Sequence, residues 1–223
     1  NGAFVYIGSK TSIVLPNVIK GVNITNTSNM FKEKSIERVI SLENNITNMS
    51  SMFYGSKAVN LDLNNFNTSK VTSMNRVFMN SQAVNLYVSS WDTSNVNSFQ
   101  DMFTRSQATT LDISGWRTPR AVNMISMFYE SKAPVLDVSG FDTSNVTNMN
   151  YMFQSSQSQV LDVSNFNTSK VTTMYGMFHE AKVTELDVSG FDTSNVTSMK
   201  YMFYNNLQLN ELDLTNFNTS KVT

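Results

Sequence analysis

The sequence predicts a repeat solenoid of stacked parallel rungs, and three observations carry that prediction. Leu61, Leu86, Leu111, Leu136, Leu161 and Leu186 stand 25 residues apart. Phe53, Phe78, Phe103, Phe128, Phe153, Phe178 and Phe203 keep the same 25-residue interval. A unit this short has no core of its own and buries its apolar side only by stacking on neighbours. The composition agrees: 40 % hydrophobic and 15 % charged residues over 223 positions leave a polar, weakly charged surface.

Each element of the unit follows from its pattern. Leu136-Asp137-Val138-Ser139 alternates apolar and polar, as a short strand does with Leu136 and Val138 inward. Gly140, or Asn165 one unit later, marks a turn, and Thr143-Ser144-Asn145 offers side chains that cap the backbone. Val146, Met149, Met152 and Phe153 would share one face of a helix or 3₁₀ turn. Val146-Thr147 reads equally well as a second short strand, so the return side stays open. Every methionine of the 14 except Met79 falls at a ladder position or at Met30, which makes the methionines packing residues.

Residues 1 to about 35 break the pattern and are expected to cap the stack. Phe4-Val-Tyr-Ile7 and Ile13-Val-Leu15 look like short strands beside the punctuation of Pro16-Asn17. Residues 36–223 form the solenoid proper. One residue is inserted near Asn205-Asn206-Leu207, because Leu212 follows Leu186 by 26. The last unit breaks off at Thr223, so the chain is expected to be a piece of a longer protein. No signal peptide is visible at Asn1-Gly2-Ala3-Phe4.

Charge and composition exclude several classes. A formal net charge of −1 argues against nucleic acid, which calls for a basic stripe. No apolar run approaches the roughly 18 residues of a membrane span. With 0 cysteines, disulfides and thiolate metal sites are ruled out. An enzyme is not expected. His179 is the only histidine, its column holds residues as unlike as Tyr54, Thr104 and Gln154, and no phosphate loop or nucleophile elbow occurs. Sequons such as Asn145-Val-Thr147 recur with the repeat and read as turn chemistry.

Two columns carry charge. Asp62, Asp112, Asp137, Asp162, Asp187 and Asp213, with Tyr87 in the same register, point outward from successive strands. Like charges one rung apart, about 4.8 Å, should raise one another's pKa unless serine hydroxyls, cations or a partner offset them. Three sources of offset stay open: local donors, a ligand-facing acidic strip, or bridging calcium. The second column pairs Asn67 with Lys70, Asp92 with Asn95, Arg117 with Arg120, Asp142 with Asn145 and Asn167 with Lys170. Its sign alternates from rung to rung, which suggests an ionic register device such as Asp142 with Lys170.

The run Leu-Asp-Val-Ser-Gly-Phe-Asp-Thr-Ser-Asn-Val-Thr-Asn-Met-x-x-Met-Phe resembles the repeat of BspA-type leucine-rich-repeat surface proteins. Lactobacilli, listeriae, mycoplasmas and other host-associated bacteria carry these. The resemblance covers about residues 36–223. It implies a leucine-rich-repeat-like right-handed coil, with short helical or 3₁₀ turns opposite the strands. The family unit usually has a cysteine just after Met-Phe, where this chain has Ser56, Ser81, Ser106, Ser131, Ser156 and Ala181. The family further implies secretion, display on the bacterial cell wall, and adhesion to host mucus, epithelium or matrix proteins. The partner is expected to be host mucin, glycan or extracellular-matrix protein, bound by a monomer without cofactor. Candidate ligand-binding residues are Asp112, Asp137, Asp162, Asp187, Asp213, Tyr87, Tyr151 and Tyr201. If the carboxyls are raised, acid would strengthen binding to acidic mucin glycans. A passive stalk and a calcium-stabilised scaffold are the alternatives.

Overall fold

The computed structural model describes residues 4–41 and 45–223. Residues 1–3, part of the stretch read for a signal peptide, and residues 42–44 lie outside the described residues. The chain winds as a parallel β-solenoid. Strands β1 (Ser12–Val14), β4 (Arg38–Ile40), β5 (Asn60–Asp62), β6 (Asn85–Tyr87) and β7 (Thr110–Asp112) form one parallel sheet in that order, and between β1 and β4 the chain makes a small antiparallel pair, β2 (Val18–Ile19) with β3 (Val22–Asn23). The register is one unit per rung, with Leu61 opposite Leu86 and Leu86 opposite Leu111.

A second pair, β8 (Val135–Leu136) and β9 (Val160–Leu161), continues the same side but is not joined to β7. Pro134 explains the break. The N–H two places before the ladder leucine normally reaches back one rung, as from Thr109 to the Val84 carbonyl (3.0 Å) and from Gln159 to the Pro134 carbonyl (2.9 Å). Proline has no N–H to give to Thr109, so one ladder bond is lost there.

The return side is not helical. Among the described residues no helix or 3₁₀ segment occurs. A column of single parallel bridges runs Asn48, Ser73, Ser98, Asn123, Asn148, Thr173, Ser198. Tandem β-turns follow it. The N–H groups of Ser51, Phe53 and Gly55 bond the next rung at Asn75, Val77 and Met79, while those of Met52, Tyr54 and Ser56 close turns on Met49, Ser51 and Phe53. Alternate donors thus serve two directions, so a continuous helical ladder cannot form. The turns require positive φ two residues before and two after each ladder phenylalanine, at Ser126 and Glu130 or Tyr151 and Ser155 for example. A left-handed residue other than glycine costs roughly 1–2 kcal/mol, and cross-rung bonding holds it in place.

The core fills the space between these sides. Ladder phenylalanines stack nearly parallel, with Phe103 and Phe128 at 5.5 Å and 5°, and Phe128 and Phe153 at 5.6 Å and 3°. Full burial of each such ring stabilises by roughly 1.5–3 kcal/mol. Trp91 and Trp116 are buried as expected, and the Trp116 indole N–H donates to the Val88 carbonyl at 2.8 Å. Buried threonines at the corner lock adjacent rungs: Thr118 Oγ1 donates to the Asp142 carbonyl (2.9 Å) and Thr143 Oγ1 to the Asn167 carbonyl (3.0 Å). Ser56, Ser81, Ser106 and Ser131 are buried, and each hydroxyl accepts the backbone N–H two residues on.

The stack begins earlier than the expected boundary at residue 35. β1 pairs with β4, Asn26 bridges Asn48, and Phe31 stacks on Phe53 at 5.6 Å. Only the segment before β1 lies across the end, where Tyr6 sets its ring edge-on to Phe31 at 5.7 Å. The 22-residue spacing between Phe31 and Phe53 already marks a shortened unit ahead of the regular ones, and the structure makes it the first rung.

Candidate functional site

The strand side presents the aspartate column. Each carboxylate accepts from the residue two places on: Asp137 Oδ1 from the Ser139 N–H (3.1 Å) and hydroxyl (2.6 Å), and Asp162 Oδ1 likewise from Ser164 (2.9 and 2.6 Å). These local donors decide the electrostatics. The Ser164 hydroxyl and N–H hold Asp162 below the usual aspartate range, and those of Ser189 do the same for Asp187. The Thr215 N–H and hydroxyl lower Asp213. Burial pushes Asp112 up, but Ser114 and Ser89 together outweigh it and the net shift is downward. Repulsion from Asp187 raises Asp162 and Asp213 only as a minor contribution. The expected upward shift is therefore reversed, because hydrogen bonding to the charged form wins over the neighbour on the next rung. Among the described residues no three acidic or histidine side chains converge to hold a metal ion.

Tyr87 stands on this same side, 48 % exposed, in register with Asp62 and Asp112. Tyr151 and Tyr201 do not. They occupy the left-handed turn position two residues before the ladder phenylalanine, on another side of the rung. The eight candidate residues thus fall into two separate surfaces. The strand side has only shallow furrows between rungs. One, of about 430 Å³, is lined by residues including Val160, Asp162, Glu185 and Asp187.

The ionic register device lies elsewhere than expected. Lys170 Nζ donates to Asn145 Oδ1 at 2.7 Å, and the Asn145 amide donates on to the Pro119 carbonyl at 3.0 Å. Lys221, Asn195 and the Ser169 carbonyl repeat this relay at 2.8 and 2.9 Å. Amides, not carboxylates, are the bridges. Asp142 is occupied by the Ser144 hydroxyl and N–H, with Lys170 a weaker influence on its lowered pKa. True ion pairs join Arg38 to Asp62 at 3.4 Å on the strand side and recur in the left-handed columns of the turn side. Arg76 meets Asp101 at 3.1 Å, and Arg105 forks onto Glu130 at 3.0 and 3.2 Å, lowering the Glu130 carboxyl.

The turn side changes character in the last rungs. Tyr151 and Tyr175 meet edge to face at 5.1 Å, Tyr175 and Tyr201 at 5.7 Å, and Tyr201 and Tyr204 at 5.6 Å. His179 closes the group against Tyr204 at 5.1 Å, and Lys200 Nζ lies 4.9 Å from the Tyr201 ring centre. Tyr175 and Tyr204 are not among the candidates read from sequence, and His179 is read there only as a tolerant surface position. Aligning units by their phenylalanine would have shown rings crowding into three successive units.

Fold and surface define a class: an open-faced β-solenoid repeat protein with shallow outer sides. The chain belongs to the family described as Mycoplasma protein of unknown function, DUF285, which matches residues 25–137 and 123–223. Comparison with curated proteins and with solved structures gives no match.

Proposed function

We propose that this chain is the exposed repeat region of a bacterial cell-surface adhesin, displayed outside the cell and binding host mucus, epithelial surface or matrix through a side of the solenoid. The observation that carries the reading is the open repetition of outward columns at one-rung intervals. Such a surface suits many weak contacts with a repetitive partner, where avidity replaces a deep pocket. The repeat motif supports it through its resemblance to BspA-type surface proteins. A weakly charged exterior rich in asparagine, serine and threonine fits hydrogen bonding to glycans better than salt-driven binding of a polyanion.

The test is equilibrium binding of the chain to purified mucin at about pH 5 and about pH 7 in fixed salt. Binding is expected at both values. Asp162, Asp187 and Asp213, held below the usual range, stay ionised across that interval. These three aspartates therefore supply no acid-strengthened binding there. Absence of binding at both values would overturn the reading for mucin and favour a passive stalk.

A further inference from the structure

We propose that the turn side of the last three rungs is a carbohydrate-binding platform, in which Tyr151, Tyr175, Tyr201, Tyr204 and His179 form one aromatic strip that stacks on sugar rings. The proposal rests on the adhesin reading and names the surface and ligand class that would serve it.

A stabilising ladder alone does not account for this strip. The phenylalanines already supply such a ladder, buried and close to parallel, as Phe178 and Phe203 show at 3°. The strip rings instead meet at 68°, 89° and 72°, so faces and edges alternate along the axis. Tyr151 and Tyr175, each with a rung on either side, are still partly exposed. Rings in this state offer rigid, amphipathic contact area at low entropic cost.

The backbone is adapted beneath the strip. Gly176 occupies the left-handed column two residues before the ladder phenylalanine, which carries a side chain in every other described rung, from Asn29 to Tyr201. A Cβ at Gly176 would lie 3.0 Å from Tyr151 Cδ1 and 3.2 Å from Cε1. The missing side chain is what lets the Tyr151 ring lean over the next rung and continue the strip. Gln154 Oε1, 3.6 Å from the same point, is a buried acceptor with no partner.

Chemistry selects the occupant. A pyranose has C–H groups on its faces and hydroxyls on its rim, which matches rings bordered by Lys200, Glu180, Ser155 and Asn205. Nucleic acid would need cations in excess, and Glu180 stands beside His179 at 4.0 Å.

The experiment has two arms. First, mucin binding is measured for the native chain, for Tyr201→Ala with Tyr204→Ala, for Tyr201→Phe with Tyr204→Phe, and for Asp162→Asn with Asp187→Asn. Mucin whose glycans have been oxidised with periodate is the control ligand. The alanine pair should weaken binding by roughly tenfold or more. The phenylalanine and asparagine pairs should bind nearly as the native chain, and periodate should abolish binding. Thermal unfolding confirms that each variant is folded. Unchanged binding by the alanine pair, or indifference to periodate, overturns the platform and leaves the adhesin reading standing. Second, the native chain is titrated with an N-acetyllactosamine oligosaccharide to about 10 mM while tyrosine ring resonances are followed. Shifts confined to the strip are expected. If mucin is not bound at all, the adhesin reading fails, and the titration alone decides the platform: no shift overturns it.

Discussion

Two stretches of the turn side share one backbone and differ in everything they show to solvent. In the middle rungs the left-handed positions hold Arg76 and Asp101, then Arg105 and Glu130, and each cation closes on the anion of the next rung. In the last rungs comparable positions hold Tyr151, Gly176 and Tyr201, and rings meet rings. The middle neutralises itself and leaves little for a partner. The end sets aromatic rings edge to face along the same side, with Tyr151 and Tyr175 partly exposed. A repeated scaffold thus separates the columns that build the stack from those free to vary, and the variable columns are where recognition can be written.

That contrast presumes one continuous core, and the largest test addresses it. Phe128→Ala, at the fully buried centre of the stack, should cost about 3–5 kcal/mol in urea unfolding. Phe203→Ala, only partly buried near the end, should cost clearly less. Equal losses would show that the two stretches do not share a graded stack. Next, Thr143→Val removes a hydroxyl that reaches the Asn167 carbonyl, and should cost about 1–3 kcal/mol by leaving that carbonyl short of a donor.

Acid should destabilise both stretches. Asp112, Asp142 and Asp162 have folded pKa values below their unfolded ones. Their stabilisation is complete above the unfolded value of about 3.9 and is lost as pH falls through the lower folded value. The melting temperature should therefore hold from neutrality to about pH 5 and drop below about pH 4. A rise in that range would restore like-charge repulsion as the ruling effect.

The next test separates the stretches directly. A double-mutant cycle on Arg105 and Glu130 should give about 0.2–1 kcal/mol of coupling that shrinks in high salt. A cycle on Tyr175 and Tyr201 should give about 0.5–1 kcal/mol that salt leaves alone. Equal salt sensitivity would erase the distinction. The smallest effect is a null one: Asp142→Asn and Lys170→Gln should be additive within about 0.3–0.5 kcal/mol, since Lys170 reaches Asn145 instead.

Much of the fold was legible before any coordinates. The 25-residue period set the rung, and Leu61, Val138, Met152 and Phe153 were assigned inward, where each is buried. The buried serines at 56, 81, 106 and 131 lie where the resembled family carries cysteine, so this chain keeps a small polar group in the core by giving its hydroxyl a backbone donor. The return side was not legible. Met149, Met152 and Phe153 satisfy the spacing of a helix face and of tandem turns alike, and hydrogen bonding to the next rung selects the turns. Of the candidate site, sequence found Tyr151 and Tyr201 but grouped them with the aspartates, because alternation reports inward and outward and not which outward side.

The sequence by itself determined the period, the inward set and the stacking of identical residues, since burial of an apolar side is a local pattern repeated. Only the tertiary structure decided which polar groups meet. Lys170 chose Asn145 over Asp142, Asp162 was captured by Ser164, and Tyr175 fell between Tyr151 and Tyr201. Those choices turn on ångström-scale distances between side chains on neighbouring rungs and on competition among donors, and a one-dimensional pattern encodes neither.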